Sequence, residues 1–196
     1  MTDIRTIYML NTFDLKINKR EVLKYLRVKK SDEALDNLIS ESINDVYKAA
    51  SPKAVFIESN IEICDDIVKF DFMTVKSHSL SVNLKECKKA YIFASTLGLE
   101  VDRLIEKYSK FLQSKSVVCH AVGSALIESF CDYVNETLIE NRKATKRFSP
   151  GYGDLSLDIQ KNILTTLDAN RKIGITLNDS LIMKPSKSVT AIIGIK

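Results

Sequence analysis

Apolar residues recur along this chain with two different periods, and the changes between them divide it into elements. The mixed β-branched and aromatic opening, Ile4 to Leu10, predicts a short strand. Asn18 followed by Glu21 resembles a capping box and starts a short helix carrying Val22, Leu23 and Leu26. A longer helix follows, with Ser31 as its expected cap and Asp32 and Glu33 at its positive end. Leu35, Leu38, Ile39, Ile43, Val46 and Tyr47 form its apolar stripe, and Ser51-Pro52 ends it.

From Ala54 to about Val75 the period drops to two. Ala54 to Ile57 starts one strand; Val68, Phe70 and Phe72 alternate with Lys69 and Asp71 in a second, with Asp65-Asp66 between them. A short helical segment is expected over 80–87, then a buried strand at Ala90 to Ala94. Two helices follow, at about 100–112 and 116–139. The second has Val118, Val122, Leu126, Phe130, Tyr133 and Val134 as its stripe. Ala121, Gly123, Ser124 and Ala125 make its other side small, open to another backbone or a ligand, with Glu128 one turn beyond Ser124.

A polar, basic connector at 141–146 leads into Arg147-Phe148-Ser149-Pro150-Gly151-Tyr152. Ser156 is the expected cap of a helix with Ile159, Ile163, Leu164 and Leu167 inward, and Gly174 suits a helix C-terminus. Strand-like segments at 175–177, 181–183 and 188–193 complete the chain. No repeat or linker divides it. The pattern predicts an α+β fold, a mostly antiparallel twisted sheet with packed helices, in one domain over 1–196.

Composition narrows the function more by exclusion than by assignment. With 45% apolar and 28% charged residues, the 196-residue chain is an ordinary globular protein able to bury a core. Its net charge of +4 is spread along the sequence, which argues against a nucleic-acid partner. The N-terminus lacks a signal peptide's apolar core and no run approaches the ~20 apolar residues of a membrane span, so the expectation is a cytoplasmic protein with no membrane partner. Cys64, Cys87, Cys119 and Cys131 lack paired spacing and are expected as small buried residues, and Cys119-His120 has no second histidine nearby to build a metal site. Neither GxGxxG nor a P-loop nor a GxSxG elbow is present.

One stretch carries distinctive chemistry. Pro150 fixes its own φ and biases Ser149 toward an extended conformation, and Gly151 permits a turn closed to other residues. Such a turn is expected to leave backbone polar groups facing a ligand between Arg147 and Tyr152. Arg147 offers a fork for a carboxylate, the Tyr152 ring a face for a cation, and Glu128 an acceptor for an amino group. Those features together describe S-adenosylmethionine, although nucleotides and amino acids satisfy parts of the same set.

Arg147-Phe148-Ser149-Pro150-Gly151-Tyr152 resembles the RxxPGY signature of the activation (reactivation) domain of cobalamin-dependent methionine synthase. Gly174 to Ser180 is similar to that family's G-x-x-L-T-E-S segment, with Asn178-Asp179 in place of Thr-Glu. Met183 to Val189 matches its M-x-P-x-x-S-V segment, and Ala125 to Phe130 resembles the helix supplying a carboxylate to the same pocket. The resemblance covers roughly residues 90–196, with 1–90 as a less well matched N-terminal lobe.

The resemblance implies an S-adenosylmethionine-binding subunit for methionine biosynthesis, with Arg147, Ser149, Pro150, Gly151, Tyr152 and Glu128 as binding residues. Its methyl donor would serve reductive methylation of cob(II)alamin. That cobalamin is expected on a partner methionine synthase polypeptide, because no DxHxxG motif occurs here, and the electron from a flavodoxin-type donor. The family domain continues to a further ligand-facing tyrosine, whereas this chain stops at Lys196. The alternative is a non-catalytic module that binds S-adenosylmethionine or caps another corrinoid protein.

Overall fold

The computed structural model describes residues 4–8 and 14–196. β1 (Arg5–Tyr8) precedes two helices, α1 (Lys19–Leu26) and α2 (Glu33–Ala49). β2 (Lys53–Cys64), β3 (Ile67–Phe70), β4 (Thr74–Lys76), α3 (His78–Leu84) and β5 (Lys89–Thr96) follow. The second half contains α4 (Leu99–Phe111), α5 (Gln113–Ile139), α6 (Ile159–Thr166) and α7 (Ala169–Ile173), then β6 (Thr176–Leu177), β7 (Met183–Lys184) and β8 (Ser188–Ile195).

One antiparallel sheet in the order β4-β3-β2-β5-β8 holds these together, with β1 also on β2; β6 and β7 form a separate ribbon. The twelve-residue β2 is long enough to serve several neighbours. Its start pairs with β1, its first eight residues with β5 and its last four with β3. The fold is therefore the expected α+β arrangement around an antiparallel sheet.

Both faces of the sheet are covered. Ala54, Phe93, Ala191 and Ile193 face one core with α1, α2, α4 and α5; Val55, Ile57, Ile92, Ala94 and Ile192 face a second with α3, α6 and α7. Strands buried on both faces lose polar alternation, which is why β5 and β8 read as continuous apolar runs. α5 is the main helix of the first core: 13 of its 27 residues are buried, on more than one side. By length and composition it is apolar enough to cross a membrane, but most of that apolar stretch is buried within the protein.

Its small-residue side is filled from within, where an approaching ligand had been an option. A Cβ at Gly123 would lie 3.2 Å from Lys187 Cε and 3.4 Å from Val101 Cγ1. Tyr133, assigned to the stripe, is exposed.

Several local expectations shift. Asp32 caps α2, accepting from Leu35 N at 2.8 Å, in place of Ser31. Asn18 does cap α1, but on Arg20 N, and Glu21 pairs with Lys24, so the reciprocal box does not form. The alternating run at 68–75 splits into β3 and β4, because the Asp71 carboxylate is drawn to the Asn60 amide and Ser59 hydroxyl and the chain turns there. Ser156 stands ahead of α6, bonded to Asp158, the N-cap residue. Leu181 lies in a turn at φ +60°, so β7 begins only at Met183. Gly174 does close α7, at φ +76°. Cys64 is exposed, unlike the other three cysteines. Met9 and Leu10 of the first predicted strand lie outside the described residues.

Candidate functional site

After α5 the connector runs along β8. Thr145 N donates to Gly194 O, and Phe148 and Ile192 exchange both backbone hydrogen bonds at 2.9 Å. Successive residues of an extended segment point to opposite faces. Phe148 accordingly packs on the second core, while Arg147 turns toward α5.

There Arg147 Nη2 donates to Glu128 Oε2 and to Asp132 Oδ1, each at 3.0 Å. The two carboxylates sit one turn apart on α5. Side-chain exposure is 21% for Arg147, 44% for Glu128 and 67% for Asp132, so the cation is sheltered and its partners open outward. Burial opposes the Arg147 charge, but Cys131, Glu128 and Asp132 outweigh it and raise its pKa further. Beneath the pair, burial pushes the Cys131 thiol up to about 12, despite the Ser95 hydroxyl at 3.1 Å. A thiol held neutral is a poor nucleophile, which removes Cys131 as a reacting group.

The Pro-Gly turn closes mostly on itself. Tyr152 N donates to Ser149 O at 3.0 Å, Gly151 N to Leu155 O at 2.8 Å, and Leu155 N to Tyr152 O at 2.9 Å. Backbone groups expected to face a ligand are therefore engaged within the turn. Gly151 adopts φ +88°, as a tight turn requires. Tyr152 packs edge-to-face on Phe148 with centroids 6.0 Å apart and remains 56% exposed.

Asp154 ties the turn to α3. It accepts from Ser77 Oγ at 2.6 Å, His78 N at 2.8 Å and Ser79 N at 3.0 Å, and these donors, Ser77 foremost, hold its carboxyl far below the usual range. Gly153, at φ +54°, lies so near α3 that a Cβ would come within 2.5 Å of Ser79 Oγ.

A cavity of about 340 Å³ opens beside Arg147, lined by Glu128, Asn135, Lys146, Arg147, Ser149, Tyr152 and Val189. Pro150 is buried and Gly151 exposed; they shape the turn without lining the cavity. Tyr25 on α1 approaches from the side: burial raises its pKa, as do the charges of Glu128 and Glu21, while Arg147 lowers it.

Asp132 and Asn135 are the residues that sequence reasoning passed over. They follow Glu128 by four and seven positions, a helical face that the spacing alone reveals. Asn135 Oδ1 is shielded from solvent and has no hydrogen-bond donor among the described residues, so an acceptor is left free at the cavity.

The other segments that resemble the family act as supports. Asp102 on α4 accepts from Ser186 N at 2.7 Å and Ser186 Oγ at 2.6 Å, and Ser188 Oγ donates to Pro185 O at 2.7 Å. A larger cavity, about 740 Å³, lies elsewhere, between α6, α7 and β6. Its acid, Asp168, already pairs with Arg171, and no sheltered cation faces it, so it lacks the convergent charges of the smaller one. Among the described residues no cluster of His, Cys, Asp and Glu is arranged for a metal ion.

The sequence of the second half matches the family model of the vitamin B12-dependent methionine synthase activation domain over residues 101–195. The match covers just under half of the chain. The matched segment contains α5, the Arg147 turn and β8, all three walls of the cavity. The solved MetH reactivation domain bound to AdoHcy has the same fold: the likeness covers 98% of this chain and 78% of that one at a TM-score of 0.69, with 16% identity. It therefore includes the N-terminal half, which the family model does not reach. No curated protein matches the chain.

Proposed function

We propose that the chain is an activation domain that binds S-adenosylmethionine in the Arg147 cavity and presents its methyl group to a cobalamin held by a methionine synthase polypeptide. The observation that carries the reading is the Arg147–Glu128 pair at 3.0 Å beside an open cavity. An α-amino acid carries its carboxylate and ammonium on one carbon, so a guanidinium and a carboxylate set side by side match it group for group. Arg147 takes the ligand carboxylate and Glu128 its ammonium. Tyr152 offers its ring to the sulfonium or the adenosine. Ser149 lines the wall for a polar contact, and Pro150 and Gly151 hold the turn that positions both. Asn135 Oδ1 accepts a ligand N–H or O–H, which would relieve its unpaired state.

When bound, S-adenosylmethionine supplies the methyl group, while the partner's cobalamin and one electron from a flavodoxin-type donor complete the exchange. The chain's own residues orient the ligand and supply no nucleophile, consistent with the neutral Cys131 thiol. A cytoplasmic setting, where the reduced donor is available, completes the proposal.

Calorimetry with S-adenosylmethionine tests the site, with the Arg147→Ala protein as its control. Saturable binding lost in the variant is the expected result; no binding to the wild type overturns the proposal. Mixing the protein with a cob(II)alamin-loaded synthase, a reductant and methyl-labelled S-adenosylmethionine tests the activity. Binding without transfer of label to cobalt would leave a non-catalytic S-adenosylmethionine-binding or corrinoid-capping module.

A further inference from the structure

The elbow between α4 and α5 holds the most exposed large apolar side chain among the described residues. Phe111, the last residue of α4, is 80% exposed and belongs to neither core. Leu112 alone joins the two helices, at φ −140° and ψ 69°, and it is exposed as well. Val117, one turn beyond Gln113 and Ser114, extends the apolar surface along α5. Beside the Phe111 ring opens a cavity of about 590 Å³, walled by Leu38 and Glu41 of α2 and by residues 111–115. Its walls differ in charge. Glu41 is largely exposed and lies 3.4 Å from Lys115 Nζ, which Asp45 holds more closely at 2.9 Å. On the facing wall α5 starts with no side-chain cap and no acidic residue in its first turn, so its unsatisfied N–H groups form a positive end.

We infer that this face joins two copies of the chain in a two-fold dimer, with the Phe111 ring of each copy entering the other's cavity. In a two-fold contact a surface must be complementary to itself. An exposed aromatic ring beside a cavity large enough to take it meets that condition in shape. An acidic wall facing a positive one meets it in charge, because the two-fold axis sets Glu41 of each copy against the α5 terminus of the other. A face of one sign would repel its own copy and select an oppositely charged partner. Seven residues line the cavity, against about 20–30 a side in a standard interface, so the dimer is weak and forms at high concentration. Glu128 stands about 20 Å along α5 from Lys115. Pairing at the elbow therefore leaves the Arg147 cavity uncovered, and the two proposals stand or fall separately.

Sedimentation velocity on the full chain, from low micromolar to near-millimolar concentration, tests the dimer. The wild type is expected to pass from monomer to dimer across that range. Each substitution acts twice in a two-fold contact. Phe111→Ser should therefore raise the dimer dissociation constant at least about tenfold, as loss of an aromatic anchor does. Glu41→Lys should raise it roughly three- to tenfold, more at low salt than at high. Val82→Ser, which removes an exposed apolar side chain on α3, should leave it unchanged. All three side chains are exposed, so each variant should keep the wild-type melting temperature, which separates lost pairing from lost fold. A wild type that stays monomeric at every concentration overturns the inference and leaves this face to a different partner or to none. Association that survives Phe111→Ser overturns it as well, by moving the contact to another surface.

Discussion

Two cations pack against the same helix and are treated in opposite ways. Arg147, beside the second half of α5, has two carboxylates at 3.0 Å and an open cavity. Lys187, beside Gly123 in the first half, is only 5% exposed, and its ammonium donates to the Ser124 hydroxyl at 2.9 Å. Burial pushes the Lys187 pKa down to about 8, with Asp102 opposing, whereas the Arg147 pKa is raised. A half-open, charge-paired cation can exchange a protein carboxylate for a ligand's. A buried ammonium with one neutral acceptor has nothing to exchange and carries a desolvation cost. Position on a helix and formal charge are the same in kind; the environment separates a binding group from a structural one.

Removing each cation should therefore break different properties. Arg147→Ala is expected to weaken S-adenosylmethionine binding on the order of a hundredfold, as loss of a sheltered charge-assisted contact does. Its melting temperature should change little, because the carboxylates it leaves are open to water. A variant that melts well below the wild type would assign Arg147 to the fold as much as to the ligand.

Lys187→Met should do the reverse, raising stability by roughly 1–2 kcal/mol at pH 7 without changing affinity, since a similar apolar volume replaces a buried charge. The sign follows from the pKa. Folded Lys187 gives up its proton near 8 while the unfolded residue holds it to about 10.4, so between these values the unfolded state binds more protons and stability rises with pH. Chemical denaturation of both proteins from pH 7 to 10 checks this: the advantage of Lys187→Met should narrow as pH rises. A constant difference would mean that the ammonium is not desolvated.

The contrast also explains what the sequence alone could reveal. Arg147, Pro150, Gly151 and Tyr152 were legible because a turn and its flanking chemistry are local. Gly174 was legible for the same reason, and the α+β order followed from changes in period. Asp132 and Asn135 were within reach as helical neighbours of Glu128, but a solvated helix face has the same pattern. Lys187 was out of reach. Nothing in Pro185-Ser186-Lys187-Ser188 signals that Asp102, 84 residues before Ser186, folds this segment down onto the small side chains of α5. The neat alternation at 68–72 misled because Asp71, a polar residue in the pattern, is held by Asn60 and Ser59.

Between the two cations stands the turn that aims the first one, and its glycine is the next place to test the comparison. Gly153→Ala puts a Cβ into Ser79 at φ +54°, where an L side chain is already strained. A loss of about 1–3 kcal/mol in stability is expected, with weaker ligand binding as Tyr152 shifts. Stability lost with affinity intact would show that the cavity does not depend on how the turn docks.

The smallest expected effect comes from Asp154, an exposed residue that joins the turn to α3 through Ser77, His78 and Ser79. Those donors favour its ionised form and depress its folded pKa well below the unfolded carboxyl value of about 3.9. A depressed carboxyl contributes stability that is present above the unfolded pKa and lost as pH falls through the folded one. Asp154→Asn should therefore lower the urea midpoint modestly at pH 7, and the gap to wild type should close as pH drops below 4. Water competes for every one of these hydrogen bonds, so the effect is smaller than at Lys187, which is only 5% exposed. A gap that persists unchanged at low pH would mean that Asp154 holds the turn by shape and neutral hydrogen bonds, and that charge matters in this protein only where it is sheltered.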